Sequence, residues 1–179
     1  MSHISPSALS LAGLALEYCR AVSACRDSEP RAFVREMLRY LPRIYVTVMD
    51  LRPYGEGTDP DAEADETDAI YETVTEEQYN SIREDISAVL GENDMYLDTP
   101  VEEMRFSDTP VAVSLSEQLA DIYQQLADFA ATVAQSSPDL MPDILSDLKY
   151  RFGEFLAVTV CGALRAANYI YFNANLSDE

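Results

Sequence analysis

The sequence predicts an all-α fold: an antiparallel helical bundle of four main helices plus short extra helices, with an acidic irregular middle segment. Three features predict it. Apolar residues recur at alternating steps of three and four along most of the chain, the spacing that places them on one side of an α-helix. Two of these stripes open on a Ser or Thr followed three residues later by Glu or Gln, the reciprocal cap of a helix start. Most Pro and Gly residues fall between the stripes, where turns belong. At 179 residues the chain is the size of one domain, and the whole of it is assigned to one, with 52–75 as an acidic loop.

The first helix is expected to start at Ser5 or Ser7, with Pro6 in its first turn. Leu11, Leu14, Tyr18, Val22 and Cys25 give it one apolar face. Ser28 is the expected cap of the second helix, ahead of Pro30. Phe33, Met37, Tyr40, Ile44, Val48 and Leu51 carry its stripe across Pro42, which should kink or split it. The β-branched run Ile44 to Val48 also suits a strand, but the stripe keeps its phase and favours helix. A third helix opens at Thr75, boxed by Gln78, presents Tyr79, Ile82, Ile86 and Val89, and ends at Gly91. Residues 92–113 read as irregular, with at most a short helical turn between Pro100 and Pro110. The fourth helix opens at Ser114, boxed by Glu117, and carries a seam at Leu115, Leu119, Ile122, Leu126, Phe129 and Val133. The last runs from about Pro142 to Tyr171 on Leu145, Leu148, Phe152, Phe155, Thr159, Gly162, Ala166 and Tyr169. The small residues late in that stripe imply a close-packed, central helix.

Charge bounds the function. The chain has 12 Lys and Arg against 32 Asp and Glu, for a net charge of −20. Binding to nucleic acid or to an anionic membrane needs a basic surface, so neither is expected. The longest strongly apolar run, Phe155 to Leu164, is too short to span a bilayer, which takes roughly 20 residues. Met1 to Ser10 contain no Lys or Arg, so no secretory leader is read there, and a cytoplasmic setting is expected. Cys19, Cys25 and Cys161 have neither disulfide-framework nor zinc spacing and read mainly as core thiols. His3 is the single histidine, which removes most routes to His-based catalysis. No glycine-rich phosphate loop and no helical Glu-x-x-His metal pair occurs. No catalytic residue and no cofactor is assigned.

Residues 56–108 hold 18 acidic residues against Arg83 and Arg105, whereas 20–52 hold seven arginines. Arg31, Arg35, Arg39 and Arg43 lie four apart, along one slowly drifting helix face. Such spacing is repulsive, so an anion is expected to offset it. The carboxylates of the chain itself are one source, and an anionic ligand or acidic partner is the other. Arg165 and Asn168 lie on the apolar last helix; facing inward, Arg165 would form a buried ion pair with a bundle carboxylate or floor a polar pocket. In the acidic run, Asp61, Glu63, Asp65 and Glu72 fall at positions 1, 3, 5 and 12 of a calcium loop. Glu66 where that loop needs Gly, and Asp68 where it needs an aliphatic residue, make a solvated loop the better reading.

The segments Ser114-Leu115-Ser116-Glu117-Gln118-Leu119-Ala120-Asp121-Ile122-Tyr123 and Gly162-Ala163-Leu164-Arg165-Ala166-Ala167-Asn168-Tyr169, with the acidic loop between helices, resemble an uncharacterised family of bacterial helical domains of unknown function. The resemblance covers most of the chain. It implies an all-helical fold and a bacterial cytoplasmic setting, and it supplies no activity and no site residues. The function expected is that of a non-enzymatic acidic protein that binds a protein partner, a basic one. The alternative is a small-molecule or anion-binding module, an enzyme included, using a polar pocket on the bundle.

Overall fold

A computed structural model describes residues 6–51, 68–98 and 109–174. Among these residues six α-helices and one small ribbon follow in order: α1 (Pro6–Ser23), α2 (Pro30–Met49), α3 (Glu76–Leu90), β1 (Met95–Asp98), β2 (Val111–Ser114), α4 (Leu115–Gln135), α5 (Met141–Arg151) and α6 (Ala157–Asn173). The α1 helix packs along α4, α2 along α6, and α4 also against α3 and α6. Arg31 lies over Tyr171 at one end of the α2–α6 pair, and Tyr45 meets Phe152 at the other, so these two helices run antiparallel. The predicted stripes of α1, α2 and α4 form the core. Leu11, Tyr18, Phe33, Met37, Ile44, Leu119, Leu126 and Phe129 are all buried. Tyr18 buries its ring without orphaning its hydroxyl, which donates to the Leu119 carbonyl at 2.8 Å.

Local signals behave unevenly. The Thr75–Gln78 box forms in full, and Gly91 ends α3 with a φ of 55°, a left-handed conformation that favours glycine. Ser114 caps α4 through its hydroxyl, which accepts from the Glu117 N–H at 3.3 Å. Ser28, expected to cap α2, instead donates to the Ala24 carbonyl, and Glu29 holds the cap position without a side-chain bond. Pro30 sits in the first turn of α2, where its missing N–H is harmless. Helix α2 runs through Pro42 and is not split there. Leu41, Ile44 and Val48, buried on either side, hold it in place against a local cost of about 3 kcal/mol. Ile44 to Val48 are helical.

Two expectations about the course of the chain are corrected. The stretch expected to be irregular contains β1 and β2, an antiparallel ribbon with Met95 opposite Ser114 and Asp98 opposite Val111. Short strands of this kind draw their pairing from the neighbouring chain, so they leave little trace in periodicity. The second correction concerns the last helix. One π-helical turn, Phe152–Leu156, joins α5 to α6, and the Ala157 N–H bonds to the Phe152 carbonyl five residues back. A π turn inserts one residue into the helix and advances every later side chain by about 100°. The stripe therefore steps on by one position. Leu156, Val160, Ala163, Ala167 and Ile170 are buried in place of Phe155, Thr159, Gly162, Ala166 and Tyr169, although Ala166 remains buried beside Ala167. Phe155 is 40% exposed.

The shift also leaves an apolar outer face. From Pro138 to Asn173 the chain is one helical rod of 36 residues, long and apolar enough to cross a membrane by length and composition alone. Helical continuity through Thr159 and Gly162 makes the rod longer than its uninterrupted apolar run. Its inner face is committed to the bundle, against α2 and α4.

Among the described residues three acids are buried: Asp94, Asp128 and Asp147. Asp94 accepts from the Ser116 N–H at 2.7 Å and the Ser116 hydroxyl at 2.8 Å, tying the ribbon to the start of α4. Asp128 accepts from the Thr73 N–H at 2.6 Å, the Thr73 hydroxyl at 2.7 Å and the Val74 N–H at 2.9 Å. Asp147 accepts from the Ile70 N–H at 2.9 Å and from Arg151 Nε at 3.0 Å. With Thr132 accepting from the Tyr71 N–H at 3.0 Å, these side chains fasten residues 70–74 across α4 and α5 as an extended strap. The end of the expected acidic loop is thus a fixed structural element.

Candidate functional site

A cleft of about 520 Å³ opens between β1 and α6, lined by Glu92, Asn93, Met95, Tyr96, Leu97, Arg165, Ala166, Tyr169 and Ile170. Its position follows from the ribbon. Along a strand, side chains alternate between faces. Tyr96 and Asp98 point to the helices, while Met95 and Leu97 stand outward, 58% and 69% exposed. The Tyr96 hydroxyl donates to Gln118 Oε1 at 2.7 Å, and Asp98 forms an ion pair with Arg165. Burial raises the Tyr96 phenol above its ordinary pKa and Asp98 adds to this, while Gln118 and Arg165 pull the other way. It is a neutral donor at physiological pH.

Gly162 explains how β1 and α4 come so close to α6. A Cβ there would lie 2.8 Å from Gln118 Nε2 and 3.5 Å from the Tyr96 hydroxyl. Gly162→Ala is expected to displace the Gln118 amide and break its bond to Tyr96. The gain of about 1 kcal/mol for Ala over Gly in a helix offsets that loss of about 0.5–1.5 kcal/mol. Denaturant unfolding should therefore shift by less than about 1 kcal/mol, while amide exchange at Tyr96 should quicken several-fold.

Beside the cleft, α6 shows its outer face. Val158, Tyr169 and Phe172 are 71%, 65% and 70% exposed. Cys161 and Asn168 are exposed between them, and Arg165, paired with Asp98, carries the only charge on α6. The cleft and this face adjoin at Arg165 and Tyr169.

The sequence-selected residues are placed as follows. Arg165 does pair with a carboxylate, but at the surface rather than on a buried pocket floor. Of the arginine stripe, Arg43 meets Glu17 at 3.6 Å, both half exposed, and Arg31 stacks over the Tyr171 ring at 5.2 Å. Arg35 and Arg39 are exposed and make no ion pair among the described residues. A shallower hollow of about 460 Å³ lies between α1 and α2 beside Arg43. Of the calcium candidates, Asp61, Glu63 and Asp65 lie outside the described residues. Glu72 is exposed on the strap. No group of three or more potential metal ligands forms among the described residues. Burial raises the Cys19 thiol to about 12 and the Cys25 thiol to about 11, which keeps both protonated and inert.

Sequence reasoning missed the cleft. Its strand was read as irregular, and the phase of α6 was one residue out. The ribbon's alternation, Met95-Tyr96-Leu97-Asp98 against Val111-Ala112-Val113-Ser114, is the signal that was there to find.

A family model described as a domain of unknown function, DUF5063, matches residues 2–173. Among solved structures, the chain is similar to protein BF1032 from Bacteroides fragilis, with a TM-score of 0.74 and 22% identity over 97% of this chain and 100% of that one. The likeness is one of fold. No curated protein matches the chain.

Proposed function

The chain belongs to the DUF5063 family of domains of unknown function, and from that premise we propose that it is a non-enzymatic module that binds a protein partner through the β1–α6 cleft and the outer face of α6. The observation that carries this reading is the set of exposed apolar side chains at and beside the cleft: Met95, Leu97 and Tyr169 on its lining, with Val158 and Phe172 further along the outer face of α6. Large apolar groups left in water beside a cleft are a usual mark of a contact face. The cleft offers a neutral phenol, the exposed carboxylate Glu92 and the Asp98–Arg165 ion pair, an arrangement suited to holding a ligand. The net charge of −20 favours a basic partner by long-range attraction. A cytoplasmic setting belongs to the same proposal.

The test is capture from the native cell at low salt by the wild type and by the double variant Val158→Asp/Tyr169→Asp. Both positions are exposed, so the fold should tolerate the change, which circular dichroism checks. A basic protein retained by the wild type and reduced at least tenfold on the variant is the expected result. Equal retention by both overturns the proposed surface.

The alternative, an anion site, draws its support from Arg35 and Arg39, which have no carboxylate partner among the described residues and lie on the same stripe as Arg31. Calorimetric titration with inorganic phosphate, with the wild type and with Arg35→Glu/Arg39→Glu, decides it. Heat lost in the variant supports the site, and no heat from the wild type removes it.

A further inference from the structure

The geometry points to a specific mode of docking: we propose that β1 receives an extended, basic segment of the partner protein, which adds to the ribbon as a third strand in the cleft beside α6. This rests on the protein-binding reading above and names the form of what is bound.

The argument starts from the ribbon's hydrogen bonds. The Leu115 N–H bonds to the Asp94 carbonyl at 2.9 Å, in the same register that puts Met95 opposite Ser114. In an antiparallel pair, residues alternate between exchanging hydrogen bonds with the opposite strand and directing their N–H and C=O away from it. With Asp94 in the bonded phase, Tyr96 and Asp98 bond across to β2. Met95 and Leu97 then direct their N–H and C=O groups to the other edge. Among the described residues no backbone group pairs with them, and the sheet has two strands only.

That edge borders the cleft. A hollow on one face of a strand touches alternate residues, whereas one along its edge touches consecutive residues. Met95, Tyr96 and Leu97 all line this cleft, opposite Arg165, Ala166, Tyr169 and Ile170. An open strand edge is a template for another extended chain: backbone groups supply affinity, and alternate side chains supply specificity. Here one set of the guest's side chains meets Ala166, Tyr169 and Ile170, which calls for apolar residues. Glu92, exposed at one end of the cleft, calls for Lys or Arg, in keeping with the charge of the whole chain. A helix laid in the same cleft leaves the Met95 and Leu97 backbone groups unused, which is why an extended guest is favoured.

The probe is a synthetic hexapeptide of alternating Val and Lys, with a twin N-methylated at every peptide bond so that it has no N–H to donate along either edge. Calorimetry measures both against the wild type, Leu97→Pro and Leu97→Ala. Proline is tolerated at a sheet edge and here removes only the outward N–H, because the Leu97 N–H does not bond to β2. The parent peptide is expected to bind the wild type, to slow amide exchange at Met95 and Leu97, and to lose at least tenfold on N-methylation or on Leu97→Pro. Leu97→Ala should cost less than Leu97→Pro. Absence of binding by the parent peptide, or equal affinity of twin and parent, overturns strand addition. If both peptides bind equally but Tyr169→Asp abolishes both, strand addition fails while the cleft stands as the contact site. If the native partner is retained by Val158→Asp/Tyr169→Asp, the protein-binding surface itself fails.

Discussion

Deleting Glu154 is expected to leave the protein folded, whereas deleting Gln124 should abolish cooperative folding. Both residues lie in helices and neither side chain is in the core. The difference is phase. Glu154 sits in the π turn, which already contains one residue more than an α-helix needs. Removing it lets the turn revert to α-helical bonding, with Leu148 and Phe152 on one side and Val160 and Ala163 on the other still facing the core. Helix α4 has no such reserve. Loss of Gln124 turns everything after it by about 100° relative to Leu119 and Ile122. Leu126 and Phe129, fully buried, would leave the core, and Asp128 and Thr132 would leave the strap. Each large apolar side chain is worth about 1.5–3 kcal/mol when buried, so the loss approaches the whole stability of an ordinary domain, about 5–15 kcal/mol. Far-UV circular dichroism and thermal melting read both outcomes. Unfolding of the Glu154 deletion, or a normal melt for the Gln124 deletion, would contradict the phase argument.

Asp147→Ala is expected to be the most damaging single substitution of a charged residue, at about 3–5 kcal/mol. The carboxylate is fully buried and serves the Ile70 N–H and the Arg151 guanidinium together. Truncation leaves a half-buried guanidinium without its counter-charge and a buried N–H without an acceptor, and each orphaned group costs more than an ordinary hydrogen bond gains. Urea unfolding measures the loss. Amide exchange locates it, because Ile70 should lose protection before the helices do. The companion Arg151→Met keeps the length of the side chain and removes the charge, and should cost less than Asp147→Ala because Asp147 retains the Ile70 N–H. A loss below about 1 kcal/mol for Asp147→Ala would mean that the strap does not depend on this acid.

Much of the fold was legible in the order of residues. The stripes of α1, α2 and α4 and the Thr75–Gln78 box depend on neighbours within one or two turns, so they can be read locally. The site was not legible in the same way. Arg165 and Tyr169 stood out as residues, but their shared cleft depends on a ribbon formed by strands 12 residues apart, between Asp98 and Val111. Leu145-Ser146-Asp147-Leu148 and Leu126-Ala127-Asp128-Phe129 did place acids beside core positions. That pattern marks a carboxylate buried for its hydrogen bonds, yet the donors it serves, Ile70, Thr73 and Val74, are more than 50 residues away.

By itself, then, the sequence determined an all-α domain with an extreme acidic balance, because helix periodicity and charge are sums over nearby residues. Tertiary structure alone decided which side of α6 is inside, where the strap lies and that, among the described residues, β1 pairs along one edge only. The physical reason is the same in each case. A π turn is stabilised by what the helix packs against on either side of it, a buried carboxylate by donors brought in from afar, and a strand by the partner beside it.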